Sequence, residues 1–339
     1  MHRAHGACLL LITACSGPAA TPDGGSDAGP VGFVTISTQG YTNCALHSSG
    51  RAICWGYSFQ TPLVVDGPVS GASAGWYQAC FLAGTTVSCV PAPFNAMRDR
   101  HANVPPGNYI EVASGLSITC GLRADRTVDC WGWDEGVQGP ERLQPTREPV
   151  VRIRLNGDCL CALATSGAVT CWVPIPDPVR PLPLPDGTYR DAVCATFRPA
   201  CGVDAAGEVR CGPGFCSLSR IDLMTEIEVC HDQLGWDDDG NPVYWADLMG
   251  PAPAGPFSEI ALSSSLFMCG LRTTGEIVCW GPDYEPLRAL EPSGVRFVDL
   301  AVGTSHVCGI SVSGDIVCWG TLTEPGSMDW GQTRAPVWP

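Results

Sequence analysis

The chain contains no lysine. That absence removes Schiff-base chemistry through an ε-amine and the phosphate-binding lysine of a Walker-type loop. All 19 basic residues are arginine, and against 34 acidic residues they leave a formal net charge of −15 over 339 residues. This balance speaks against nucleic acid and anionic lipid headgroups as partners, since both need clustered positive charge. Charge is scarce altogether, at 16% of residues, whereas apolar residues reach 45%, ample for a core. No apolar run after residue 15 approaches the roughly 20 residues that a membrane-spanning helix requires. Cys-x2-Cys and paired histidines are also missing, so the cysteine spacing does not describe a zinc framework.

What is abundant points the other way. Forty glycines and 30 prolines imply many turns and favour an all-β chain. The length admits two average domains or one large β domain. Twenty cysteines without metal spacing imply an oxidising compartment.

The N-terminus agrees. Arg3, with His2 and His5, precedes an apolar run from Ala7 to Ala14, and Cys15 follows directly. A basic segment, an apolar segment and a small residue form an export signal. Ile12-Thr13-Ala14-Cys15 resembles the lipobox of bacterial lipoproteins, which implies cleavage after residue 14 and acylation of Cys15. The chain therefore divides into a signal over 1–14, a flexible acylated tether over 15–32, rich in Gly, Pro, Ser and Asp, and a folded part over 33–339. The expected location is the bacterial cell envelope, on the outer membrane, with the lipid as the sole membrane contact.

One unit recurs through the folded part. Its cysteine pairs are Cys44–Cys54, Cys80–Cys89, Cys120–Cys130, Cys161–Cys171, Cys201–Cys211, Cys269–Cys279 and Cys308–Cys318. The repeat is about 40 residues long, and an insertion at about 214–250 precedes the sixth copy. Within a unit, Val312-Ser313-Gly314 is a three-residue hairpin loop, with glycine for the positive φ. Counting outward places 308 opposite 318 at a non-hydrogen-bonded site, where Cα atoms about 4.5 Å apart suit a disulfide. The shorter unit 80–89 carries a two-residue turn, Gly84-Thr85, which keeps its cysteines in the same geometry. On the cysteine face lie apolar pairs such as Leu122/Val128 and Ile310/Ile316. On the other face lie small residues, among them Gly121, Ala162, Gly202, Gly270 and Gly309, as expected of hairpins stacked on like neighbours. A further short strand precedes each hairpin, as at Phe33, Tyr109 and Phe297. The fold expected is an all-β seven-bladed propeller, its ring closed by a C-terminal strand at Ala335-Pro336-Val337 that completes the first blade.

The recurring Cys-(Ala/Gly)-Leu…Gly…Val-x-Cys-Trp-Gly ends four times in Trp-Gly, at Trp55-Gly56, Trp131-Gly132, Trp280-Gly281 and Trp319-Gly320. Over residues 33–339 it resembles the regulator-of-chromosome-condensation repeat, a family of seven-bladed propellers, in a cysteine-rich lipoprotein form. The family's Gly-Gln-Leu-Gly segment after Trp-Gly is missing, so functions borne on that loop do not transfer. Nucleotide exchange on a nuclear GTPase and chromatin binding conflict with export and with the acidic charge.

No catalytic motif stands out. Gly71-Ala72-Ser73-Ala74-Gly75 matches a Gly-x-Ser-x-Gly elbow but falls on a repeat strand, so it reads as a chance match. The insertion holds Trp236-Asp237-Asp238-Asp239-Gly240-Asn241, a solvated turn or a calcium loop without EF-hand spacing. Cys216 and Cys230 pair with each other there, or join His231 and Asp232 at zinc. Cys159 and Cys194 remain, and by elimination link units four and five. His306 and Asn43 sit beside hairpins, where structural hydrogen bonding is expected. Trp133, Trp236, Trp245, Trp330 and Trp338 lie in linkers or the insertion and are recognition candidates. Trp236, Asp237, Asp239 and Trp245 form the expected binding set. No cofactor or metal is called for. The reading is an exported binding module for a protein or glycan. The alternatives are a carbohydrate-active or other hydrolytic enzyme, with acidic residues near the axis about 5–10 Å apart, or a structural envelope protein.

Overall fold

The computed structural model describes residues 31–93, 103–132, 148–173, 182–195, 198–212, 248–320 and 330–337 in full. It gives the backbone alone for 142–143, 180–181 and four strands between 216 and 244. Blade one is β1 (Phe33–Gln39), β2 (Thr42–His47), β3 (Ala52–Gly56) and β4 (Leu63–Val65), and blade two is β5 (Gly71–Ala74), β6 (Gln78–Ala83) and β7 (Thr86–Pro91). Blade three is β8 (Tyr109–Ser114), β9 (Ile118–Arg123), β10 (Val128–Gly132) and β11 (Arg142–Leu143). Blade four is β12 (Val150–Asn156), β13 (Cys159–Ala164), β14 (Val169–Val173) and β15 (Arg180–Leu182), and blade five is β16 (Tyr189–Val193), β17 (Cys201–Asp204) and β18 (Val209–Cys211). Two ribbons follow, β19 (Cys216–Asp222) with β20 (Thr225–Cys230) and β21 (Gln233–Trp236) with β22 (Pro242–Tyr244). Blade six is β23 (Phe257–Leu262), β24 (Met268–Arg272) and β25 (Ile277–Trp280), trailed by the single-turn α1 (Glu285–Arg288). Blade seven is β26 (Phe297–Val302), β27 (His306–Ser311) and β28 (Ile316–Gly320). All pairing within blades is antiparallel, and the first strand of each blade touches its counterparts next door, so these strands line the axis.

The hairpins carry the disulfides that the spacing predicts. In each of the seven units the cysteines face one another in register and are bonded, with Cα atoms 4.0–4.1 Å apart. An eighth bond, Cys159–Cys194, joins blade four to blade five. Cys216 stands opposite Cys230 in the β19–β20 register, and their side chains lie outside the described residues. Six tips carry a positive-φ residue at the third loop position, and in blade three that residue is Arg126 at φ 71°.

The core is not central. Among the described residues it consists of seven apolar clusters, one in each seam between neighbouring blades. The seam between blades seven and one resembles the rest, with Ile36, Ala45, Ile53 and Trp55 packed on Ala301, Cys308 and Ile310. Backbone hydrogen bonds repeat the theme. The carbonyl at each hairpin tip accepts the N–H that opens the next blade: Gly50 from Val69, Thr85 from Tyr109, Arg126 from Val150, Gly167 from Tyr189, Gly207 from Phe257 and Gly275 from Phe297. The seventh bond runs from Phe33 N–H to the Gly314 carbonyl, at 2.8 Å, and closes the ring.

Closure therefore differs from expectation. No C-terminal strand completes blade one, because its fourth strand, β4, comes from its own linker, and residues 335–337 form no strand. Pro336 lacks the N–H that a ladder needs. The C-terminal segment instead lies over the seam. The Gln332 carbonyl accepts from Asn43 Nδ2 at 2.9 Å and from Trp55 Nε1 at 3.2 Å.

The small residues after the first cysteine also have a different cause from blade stacking. At Gly121, Gly202, Gly270 and Gly309, a Cβ would lie 2.5–2.6 Å from the ring of Tyr109, Tyr189, Phe257 or Phe297. That ring comes from the first strand of the same blade. Where the residue that opens the blade is only Val69 or Val150, the residue after the first cysteine is Phe81 or Ala162. Ring and glycine share one volume.

Candidate axial site

Six first strands carry a bulge just after their opening residue. Bulges re-aim the side chains beyond them, and here those are Thr35, Glu111, Arg152, Asp191, Glu259 and Asp299. Blade two has Gly71 at this place, opposite Leu82 just as Glu111 is opposite Leu122. The axis is thus lined by four carboxylates, one arginine, one threonine and a gap.

Most of these groups latch one blade to the next. Asp299 Oδ2 accepts the N–H of Ile36 at 2.6 Å, Glu111 Oε2 that of Ile153 at 3.1 Å, and Asp191 Oδ2 that of Ile260 at 3.1 Å. Two strand positions further on, serines do the same: Ser37 Oγ accepts from Ala74 at 3.1 Å and Ser73 Oγ from Ser114 at 2.8 Å. Arg154 crosses the axis from β12. Its Nε lies 3.3 Å from Asp191 Oδ1, and its other nitrogen holds Glu259. Arg152 stands 3.6 Å from Asp191. Burial works against the Arg154 charge, but the surrounding carboxylates outweigh it and keep the guanidinium protonated.

Toward one end of the axis, hydrogen bonds cross between blades that are not neighbours. Asn156 Nδ2 donates to the Leu262 carbonyl at 2.7 Å, tying blade four to blade six, and Gly157 N–H donates to Gln39 Oε1 at 3.3 Å, tying four to one. Toward the other end lies a cavity of about 270 Å³ lined by Thr35, Ser37, Gly71, Ser73, Glu111 and Asp299 together with both arginines. Arg154 borders this cavity and a smaller one of about 100 Å³ beside Glu259 and Asn156.

Burial is also the main reason that the carboxyls of Glu111, Glu259 and Asp299 hold their protons more tightly than usual, with Glu259 pushed up to about 8. Between the ordinary glutamate range and about pH 8, the unfolded chain releases a proton that folded Glu259 keeps. Stability therefore falls as pH rises through that window, by up to about 1.4 kcal/mol per pH unit for one group. His306 acts oppositely. It is fully buried, with its pKa lowered to about 3, so it penalises the folded state only as pH falls below about 6.5. Melting temperature measured between pH 6.5 and 8.5 is expected to decline, and Glu259→Gln to flatten the decline. An unchanged slope in that variant would refute the assignment.

The residues singled out by sequence fall in several places. Ser73 of the apparent elbow is a latch, bonded to Ser114 N–H rather than to a histidine. His306 Nε2 donates to Asn43 Oδ1 at 2.8 Å across the closing seam. Trp330 packs edge-on against Tyr57, ring centroids 5.0 Å apart. Trp133, Asp237, Asp239, Trp245, Trp338, His231 and Cys15 lie outside the described residues, as does the Trp236 side chain. Among the described residues, the grouping of metal-ligand type is Cys161, Cys171 and Cys194, all in disulfides.

The axial residues themselves went unnamed at the sequence level. They occupy one column, nine residues before the first cysteine in units one to four and seven, and ten before it in units five and six. Charge in an otherwise apolar strand was the signal.

No family model matches the sequence, and no curated protein does either. Solved structures do resemble it. The CRINKLY WD40 ectodomain of the Arabidopsis thaliana receptor kinase ACR4 superposes with a TM-score of 0.53 at 19% identity, covering 85% of this chain and 97% of that one. Human WBSCR16 gives 0.56 at 16% identity, covering 82% and 86%. Yeast RCC1 (Prp20), solved bound to Kap60 and described for its binding to Gsp1p and histones, gives 0.57 at 14% identity, covering 85% and 80%. The fold is that of an RCC1-like repeat propeller.

Proposed function

We propose that this RCC1-like propeller is an exported binding module, anchored through an acylated Cys15 and a tether over 15–32, that holds a protein or glycan partner. Export is supported by the eight disulfides among the described residues, whose sulfurs are mostly buried in the seams, since such bonds are rare in reducing compartments. Binding to proteins is what the yeast propeller is described as doing, and the class of activity, not its partners, is carried over. One observation carries the reading: the axial charges are fixed to neighbouring blades or to Arg154, which makes the recess a preorganised receptor.

The same carboxylates support a second reading, hydrolysis of a glycan. Glu259 retains its proton near neutral pH, as a general acid must. Immobilised 33–339 domain should retain a partner from envelope extract when oxidised and lose it when reduced, without degrading polysaccharide. Turnover abolished by Glu259→Gln would replace the first reading with the second, and equal retention by reduced protein would remove it. For the anchor, the full chain expressed in a Gram-negative host should incorporate labelled palmitate and fractionate with membranes, and Cys15→Ala should do neither.

A further inference from the structure

We propose that the cavity at the axis is a binding site for a single hydroxylated ring carrying a protonated amine, the chemistry of a 2-amino sugar. This rests on the binding-module reading and adds a ligand class to it.

The cavity exists because one blade breaks the pattern. Every other blade projects a side chain into the axis at this level, and blade two has Gly71. Its volume of about 270 Å³ is below the roughly 300–1,000 Å³ of sites for drug-sized ligands and suits one ring. Its walls offer donors and acceptors together. Ser73, 6% exposed, accepts the Ser114 N–H and keeps its own hydroxyl proton, for which no acceptor is found among the described residues. Ser37 is placed in the same way beneath Ala74 N–H. Glu111 accepts one backbone N–H, that of Ile153, and Asp299 two, those of Ile36 and Leu300, which leaves acceptor capacity on both. A ligand hydroxyl, which both donates and accepts, matches this alternation. Leu82, Val112 and Ile153 supply apolar wall for ring C–H groups.

The charge balance selects among rings. The ionisable groups on the wall are Glu111, Asp299, Arg152 and Arg154. Both guanidiniums are engaged by Asp191, and Arg154 by Glu259 as well. With Glu259 holding its proton near neutral pH, Glu111, Asp191 and Asp299 against two arginines still leave an excess of negative charge, and burial makes that charge costly for Glu111 and Asp299. An ammonium group relieves it, a neutral ring leaves it, and a carboxylate worsens it.

Glucosamine, glucose and glucuronate are the probes, followed by saturation-transfer NMR and titration with the oxidised protein. Gly71→Leu tests the location. A Cβ there meets Leu82 at 3.4 Å, the strand pairing needs no glycine conformation, and the side chain fills the cavity. Gly71→Val is the smaller filler if the first variant does not fold. Glucosamine should bind with Kd on the order of 1 mM, as expected for so small a ligand. Glucose should bind several-fold more weakly and glucuronate not detectably. The filled variant should lose at least tenfold in glucosamine affinity at an unchanged melting temperature. Failure of glucosamine to bind, equal binding by the filled variant, or glucose or glucuronate binding as tightly as glucosamine overturns the proposal. If the protein still captures a macromolecular partner while glucosamine fails, the binding-module reading stands and this site assignment alone falls.

Discussion

Reduction of the disulfides is expected to abolish the folded state, and the first bond to yield should be Cys201–Cys211. Each hairpin bond closes a chain segment of 9 or 10 residues, and Cys159–Cys194 one of 35. In the chain-entropy picture, a loop of this short kind contributes about 2.5–3 kcal/mol. The seven hairpin contributions alone exceed the roughly 5–15 kcal/mol of net stability typical of a folded domain. Among the described residues no central core can compensate, because the apolar clusters are separate seams of the same hairpins. Order of attack follows access. Cys211 is exposed, and Cys89 and Cys318 are half-buried, whereas Cys44, Cys54, Cys159 and Cys194 are buried. Alkylation mapping during mild reduction should label 201 and 211 first, and tryptophan fluorescence should show no folded baseline once all bonds are gone. A fully reduced chain that melts within a few degrees of the oxidised one would contradict the stapled ring.

The second large effect is expected at Arg154. Its replacement by methionine leaves Asp191, 0% exposed, without its nearest guanidinium, and leaves Glu259 without its partner. Breaking a buried pair from one side costs about 3–5 kcal/mol. About a third of the Arg154 side chain is exposed, so screening lowers the expected loss to about 2–3 kcal/mol. Arg154→Met with Asp191→Asn should recover part of it, since the second change removes the buried carboxylate that the first has left without its nearest guanidinium. Denaturant midpoints of the single and double variants decide the matter. Additive losses would mean that the two side chains do not stabilise each other.

The two kinds of prediction draw on different levels of the sequence. Hairpin geometry was legible because it is local: the distance from Cys308 to Cys318 and the glycine at 314 determine register, turn and bond together. Blade number followed from counting the units. Closure was not legible in the same way. Pro336 already argued against a ladder strand, but the bond from Phe33 to Gly314 and the docking of Gln332 join residues some 280 positions apart. The glycines after the first cysteine were visible while their reason was not, because the ring that fills each space comes from a residue twelve or thirteen positions earlier. At the axis the obstacle was convergence. Arg154, Asp191 and Glu259 come from blades four, five and six, and only the ring brings them together.

Closing the circle without exchanging a strand bears on how such a protein is made. A propeller whose first sheet borrows its last strand cannot finish that sheet until synthesis ends. Here the opening sheet is complete by residue 65, and its cysteines are 10 apart. As the chain emerges N-terminus first, every sheet can form and oxidise on arrival, with partner thiols already side by side and few wrong pairings within reach. The C-terminal segment then has one task, to settle over a seam that the neighbouring sheets have already drawn shut.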